Sequence, residues 1–307
     1  MPSDAPTVNA PTGFAENLIP PLDPDLFRPS PEALPFLKKT ISHDEEEIRA
    51  RVQDVQKDAK FPYPCFRGFH HVALFMSSNA AYQRVLELGR TDPEAVLLDI
   101  GCCMGTDVRK ATYDGYPASQ IVGCELIPEF LALGHKLYAD EGTCPIRFIQ
   151  CDVFALDLPS PIQPVKLPPT TSIAQVASLN DLIGRVAAIY TGALFHLFDE
   201  SSQLALALRL AILIRSDKPS IIFGRHQGLP QAGLMEDKFM KSRYAHSPES
   251  WIALWKQVFG TVRGEEFARE KVVVKAELAL SDMASTRQAI NFAMRSNFLY
   301  WSVEISS

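Results

Sequence analysis

Val96-Leu97-Leu98-Asp99-Ile100-Gly101-Cys102-Cys103-Met104-Gly105 is the stretch whose reading decides the fold. Residues 95–98 form an apolar run with the length and character of a central parallel strand, and Asp99 stands at its carboxyl end. Gly101 and Gly105 flank a tight turn in which backbone must come close to something that side chains would block. Thr106 and Asp107 are good first residues for a helix. A strand, a glycine turn and a helix start together make a unit suited to cradling a nucleotide.

Outward from this stretch the pattern continues. Gln120-Ile121-Val122-Gly123-Cys124-Glu125 reads as a second strand ending in an acid. That acid lies twenty residues past Gly105, where one beta-alpha-beta unit returns to the sheet and a carboxylate can accept from both hydroxyls of a ribose. Ile146-Arg147-Phe148-Ile149-Gln150-Cys151-Asp152-Val153 reads as a third strand, and residues 186–194 as a fourth that leads into Phe195-His196-Leu197-Phe198-Asp199. Helices are expected over 106–113 and over 128–139, where Pro128 sits in a tolerant first turn. Further helices are expected over 173–183, over 203–213 with Arg209 in it and Arg215 just past its end, and over 248–259. Strands are expected over 220–223, 271–278 and 298–305. Residues 157–170 carry five prolines and read as an irregular insertion. Residues 228–247 read as a long loop of the kind that is usually functional.

Ahead of the first strand, residues 31–37 read as a short anchored turn. Residues 42–60 read as a mostly exposed helix with a thin stripe of Ile48, Val52 and Val55, capped by Ser42 with Glu45 three residues on. Residues 61–69 form an aromatic, proline-broken segment, a lid or a stapled loop, and residues 70–88 a helix.

The 307 residues suffice for one large domain or two small ones, and 47% of them are hydrophobic. The formal net charge is -6, and no basic stripe stands out, which argues against a nucleic acid partner. Six cysteines occur without a CxxC pair or zinc spacing, so no metal is expected and they read as reduced, small, buried residues of a cytoplasmic protein. No stretch reaches membrane-spanning length. Residues 1–22 lack the regions of a signal peptide and read as a disordered or loosely draped arm.

Asp99-x-Gly101-x-x-x-Gly105, then Glu125, then Asp152-Val153, then Phe195-His196-Leu197-Phe198 resemble the class I S-adenosylmethionine-dependent methyltransferases over about residues 95 to 228. One departure is Cys103, where that family often has glycine; it crowds the turn but leaves the outer glycines. The resemblance implies an α/β, Rossmann-like fold with a seven-stranded, mostly parallel sheet and an antiparallel C-terminal strand. It implies a helical cap over residues 23–90, a cofactor-binding domain over 91–307, and S-adenosylmethionine as cofactor. Its binding residues would be Asp99, Gly101, Cys102, Gly105, Glu125, Leu126, Asp152 and Val153. Glu125 would hold the ribose. Asp99 would orient the turn and reach the methionine amino group, while Asp152 and the Val153 amide would meet the adenine.

More narrowly, Gly224-Arg225-His226-Gln227-Gly228, Ser247-Pro248-Glu249-Ser250-Trp251 and Tyr63-Pro64-Cys65 resemble the fungal methyltransferases of meroterpenoid pathways. Those esterify a carboxyl group on a prenylated polyketide acid. The partners implied are a small-molecule acid and a second copy of the chain in a homodimer, with no nucleic acid and no membrane span.

Methyl transfer from a sulfonium is an in-line displacement, so the protein mainly positions two atoms. A carboxylate is its own nucleophile at neutral pH, whereas a phenol or enol is helped by a base. His196 and His226, at carboxyl ends of strands, are the candidate bases, and Arg225 can pair bidentately with a carboxylate. Phe61, Phe66, Phe195, Trp251 and Trp255 line a pocket or, as is more usual, pack the core. A nicotinamide-dependent oxidoreductase on a similar sheet is the alternative class. It needs GxGxxG, and the turn instead runs Gly-Cys-Cys-Met-Gly-Thr, with no Tyr-x-x-x-Lys pair in the chain. A cofactor-binding protein without catalysis is a third reading.

Overall fold

β1 (Val96–Ile100) is buried along its whole length, as its unbroken apolar run demands. The computed structural model describes residues 21–60, 64–160, 162, 172–235, 243–280 and 297–306. The arm up to residue 20, Phe61, Tyr63 and most of the proline-rich insertion lie outside the described residues. From β1 the chain steps outward through β2 (Ile121–Glu125) to β3 (Arg147–Gln150). It then crosses to β4 (Val186–Gly192) on the other side of β1 and on to β5 (Ser220–Gln227). A small hairpin follows, β6 (Gly233–Met235) with β7 (Arg243–Ala245). The last strands, β8 (Val272–Leu280) and β9 (Asn297–Ile305), complete a seven-stranded sheet ordered β3-β2-β1-β4-β5-β9-β8. β1 to β5 pair in parallel, and β9 lies antiparallel to both β5 and β8. The strand order reverses between β1 and β4, and the crevice above their carboxyl ends is where such sheets take ligands.

Alternate residues of the strands feed two cores. Leu97, Tyr190, Ile221 and Phe223 face a layer containing α4 (Tyr82–Thr91) and α5 (Thr106–Tyr113). Leu98, Ile189 and Ile222 face α7 (Glu200–Leu213) and α8 (Pro248–Arg263), which is followed by α9 (Glu265–Lys271). A third cluster joins α1 (Ala33–Thr40) and α2 (Glu45–Asp58) to Met104 in the glycine turn and to α6 (Pro128–Tyr138). The short α3 (Pro64–Arg67) precedes Phe69, in the same cluster.

Several local expectations are corrected. The turn over 31–37 is the start of α1. α2 is capped by Asp44, whose carboxylate accepts from Glu46 N; the Ser42 hydroxyl instead donates to Glu47. The helix over 70–88 does not form as one piece: a 3-10 turn covers His70–Val72, and α4 begins only at Tyr82. Asp107 draws off the N–H groups of Phe75 and Met76, and the Asn79 amide is tied to the carbonyls of Gly224 and Trp301. The helix over 173–183 is two 3-10 turns, Ile173–Gln175 and Leu179–Leu182, because Ser178 and Asp181 cap the second afresh.

Candidate functional site

The turn after β1 runs through the left-handed region at three alternate residues, with φ +79° at Gly101, +54° at Cys103 and +72° at Gly105. Gly105 is needed twice over, since a Cβ there would stand 2.6 Å from the Phe148 ring and 2.8 Å from the Arg109 guanidinium. Cys103 takes the left-handed conformation without being glycine, at a cost of about 1 kcal/mol. Its N–H is repaid by the Glu125 carboxylate, which accepts it at 2.9 Å. The turn hangs on β2: Gly101 N and Cys102 N both donate to Cys124 O, at 2.8 and 3.1 Å. Asp99, expected to orient the turn, makes no hydrogen bond to it.

Glu125 closes β2 at 8% exposure. Its two oxygens accept from Cys103 N and Ile127 N, which leaves lone-pair sites open on a group with four. Burial raises its pKa, and these backbone donors counter the rise. Beside it Leu126 stays 37% exposed, a bare apolar side chain at the strand end. Beyond β3, Asp152 accepts from Phe154 N and caps the 3-10 turn Val153–Ala155. Arg209 of α7 holds that turn through the carbonyls of Phe154 and Leu156. Val153 is buried.

Asp99, Tyr190 and Arg225 lie on one face of the sheet. Asp99 is in register with Tyr190 of β4, and Arg225 with Gly192. Asp99 is 2% exposed, and no donor among the described residues reaches its carboxylate. Burial raises its pKa well above the ordinary carboxylate range, and Asp107 and Glu125 push the same way. The Tyr190 hydroxyl lies against Arg225 without a well-formed hydrogen bond. Arg225 is 3% exposed. Its guanidinium carbon stands 3.5 Å from the Phe75 ring centroid and 4.6 Å from that of Phe298. Tyr190, Asp107 and Phe75 were not read as site residues from sequence: Asp107 reads as a helix start, and a tyrosine inside an apolar strand reads as core.

The two histidines part company. His196 sits in the 3-10 turn Phe195–Leu197 after β4, and its Nδ1 accepts Gln227 N at 3.2 Å. It thereby takes a strand donor that β4, having turned away, no longer meets. His226 is next to Arg225 on β5 and so on the opposite face. It is buried against Trp251, accepts Trp301 Nε1–H at 3.0 Å on Nδ1, and burial lowers its pKa to about 3. Phe195, Trp251 and Trp255 are fully buried in the core on that face. Phe66 stacks on Phe130 and His71, and Phe61 lies outside the described residues.

The reading of all cysteines as reduced is corrected: Cys124 and Cys151 form a disulfide, with Cα atoms 6.0 Å apart. They are 27 apart in sequence, but β2 and β3 are neighbours and bring their carboxyl ends together. Among the described residues no group of His, Cys, Asp and Glu could hold a metal. None of their helices is long and apolar enough to cross a membrane.

The site fits a nucleoside carrying an amino-acid tail. Glu125 has acceptor capacity for two hydroxyls, Leu126 offers apolar surface for a base, and Asp99 is an orphaned carboxylate that an ammonium group would satisfy.

No family model matches the chain. O-methyltransferase phiE of a fungal species is 31% identical over 199 residues, covering 64% of this chain and 60% of that protein, so the chain spans less than two thirds of its length. The Asnovolin E/Chermesin D methyltransferase nvfJ of Aspergillus novofumigatus is 29% identical over 238 residues, 76% of this chain and 78% of that protein. Methyltransferase prhM of Penicillium brasilianum is 30% identical over 222 residues, 72% of this chain and 70% of that protein.

Proposed function

The chain belongs to the class I S-adenosylmethionine-dependent methyltransferases, and from that membership we propose that it methyl-esterifies a carboxyl group of a small-molecule secondary metabolite, a prenylated polyketide acid of fungal meroterpenoid biosynthesis. Arg225 carries this reading. It is a buried cation at the carboxyl end of β5, with no acidic side chain within ion-pairing distance among the described residues. The buried Asp107 carboxylate acts on it through space without a direct ion pair, and a buried charge without a direct partner is costly; an acceptor carboxylate supplies that partner. With Phe75 and Phe298 against the guanidinium, its in-plane N–H groups remain to grip two oxygens at once.

When bound, S-adenosylmethionine supplies an electrophilic methyl group on a sulfonium. The remaining work is the chain's own. Glu125 and Asp99 hold the two polar ends of the cofactor, Leu126, Asp152 and Val153 border the base, and Arg225 aims the acceptor. Phe75 keeps water from the guanidinium. A carboxyl group with an ordinary pKa near 4 is already ionised at neutral pH and has no proton to lose.

The histidine tautomers support a carboxylate over a phenol or enol. His196 and His226 each accept an N–H on Nδ1, which assigns the proton of the neutral ring to Nε2. A ring so disposed donates from Nε2 and takes no proton there. A relative named for asnovolin E and chermesin D supports a small-molecule acceptor.

The test is Arg225→Gln, with Arg225→Lys beside it. Arg225→Gln raises KM for a polyketide acid by about 10- to 100-fold, Arg225→Lys by less, and calorimetry finds S-adenosylhomocysteine bound as in the wild type. If the cofactor product loses affinity by the same factor, Arg225 holds the cofactor and the carboxyl reading loses its anchor.

A further inference from the structure

The disulfide joins the carboxyl ends of β2 and β3, beside the residues read as binding the cofactor. β3 is an edge strand of four residues whose only sheet partner among the described residues is β2. Cys124 is the residue from which the glycine turn hangs, since its carbonyl accepts from both Gly101 N and Cys102 N. Its neighbour Glu125 holds Cys103 N. Cys151 donates its N–H to Glu125 O, and its neighbour Asp152 starts the turn that carries Val153. The Cys124–Cys151 bond therefore joins the two backbone points from which the base-side and ribose-side residues project. Without it, the carboxyl end of β3 has no covalent tie to β2 and is held by hydrogen bonds, by Arg209 and by the burial of Ile149 and Val153.

We propose that Cys124 and Cys151 form a reversible redox site that sets the affinity for the cofactor. Oxidised, the bond clamps the end of β3 to β2 with Glu125 and Asp152 in their binding arrangement. Reduced, the end of β3 loses its covalent tie and keeps only its packing and hydrogen bonds, so that Asp152 shifts more readily against Glu125. The inference rests on the reading of Glu125 and Asp152 as cofactor-binding residues. The exchange partner is a small thiol–disulfide couple such as glutathione. The Cys151 thiol, the more exposed of the two, loses its proton and attacks oxidised glutathione, expelling one glutathione. The Cys124 thiol then loses its proton and displaces the second from the mixed disulfide. Two protons and two electrons leave the protein with the two glutathione thiols, and reduction runs the same steps backward.

The test uses the full chain equilibrated with oxidised or with reduced glutathione. Alkylation followed by intact mass measurement counts free thiols, and calorimetry gives the S-adenosylhomocysteine dissociation constant in each state. Expected are two fewer alkylated cysteines in the oxidised protein and an affinity about 5-fold or more higher than in the reduced one. Cys151→Ser shows the weaker affinity in both buffers. Equal affinity in the two states of the wild type, or full alkylation in oxidised glutathione, overturns the redox site while the cofactor reading stands. Binding in neither state overturns both.

Discussion

Phe75 lays its ring 3.5 Å from the guanidinium carbon of Arg225, and its position depends on a third residue, Asp107. One oxygen of the Asp107 carboxylate accepts both Phe75 N and Met76 N at 2.9 Å. The first turn of α5 thus fixes the segment that covers the arginine. Removing the charged acceptor costs about 1.5–3 kcal/mol. Asp107→Ala is expected to speed amide hydrogen exchange at Phe75 and Met76 by about 10- to 100-fold while the amides of β1 keep their protection. Unchanged exchange at those two amides would mean that the segment is held by something else.

Asp99 carries a stability cost that the proposed contact with the cofactor would relieve. Its raised pKa means that the folded chain binds a proton at higher pH than the unfolded chain does. Between the unfolded value, about 4, and the raised folded value, its contribution to stability falls as pH rises. Above the unfolded value the group is therefore a net burden on the ligand-free protein. Asp99→Asn is predicted to raise the melting temperature of that protein by a few degrees and to weaken S-adenosylhomocysteine binding by about 10-fold or more. A lower melting temperature with unchanged binding would contradict this account of the residue.

Acid should destabilise the protein well before its carboxylates are titrated. Burial lowers the pKa of His71 to about 4, of His226 to about 3 and of His246 to about 4. The unfolded chain takes up those protons near pH 6.5. Their contribution is whole above that value and is lost as pH falls from 6.5 toward 4, roughly 3 kcal/mol for each ring. Asp107, raised to about 6 by burial, Asp99 and Glu125 work in the opposite sense over part of this window. The rings begin to take up protons in the unfolded chain already near pH 6.5, above the about 6 of Asp107, so the urea midpoint should fall between pH 7 and pH 5. His71→Phe, which keeps a ring stacked on Phe66, should flatten that fall, and an equally steep fall in this variant would remove His71 from the explanation.

The parts of the fold that were legible in the sequence are those fixed by local pattern. The run from Val96 to a glycine turn and on to Thr106 contains its own strand, turn and helix start, and α5 and α6 begin where the sequence says. What was not legible depends on partners far along the chain. Residues 73–79 have helical spacing, yet Asp107, Gly224 and Trp301 claim their polar groups, and tertiary bonds override propensity. β5 runs on to Gln227, past an expected end at 223, because β9 pairs with it throughout. The place of Glu125 at the end of β2 was visible from its spacing alone. Tyr190 was not, because only the register of β4 against β1 and β5 sets it between Asp99 and Arg225. Nor was the disulfide, because the neighbouring order of β2 and β3 is what brings Cys124 to Cys151.

The central claim is that methyl goes to a carboxylate oxygen, and the bond formed reports it directly. The full chain is incubated at neutral pH with methyl-labelled S-adenosylmethionine and a polyketide acid that also carries a phenol, and the product is then treated with mild alkali. A methyl ester is cleaved by base and a methyl ether is not. The account predicts that the label is released as methanol and the starting acid recovered. Label that survives alkali on the product would place the methyl on the phenol and contradict the account.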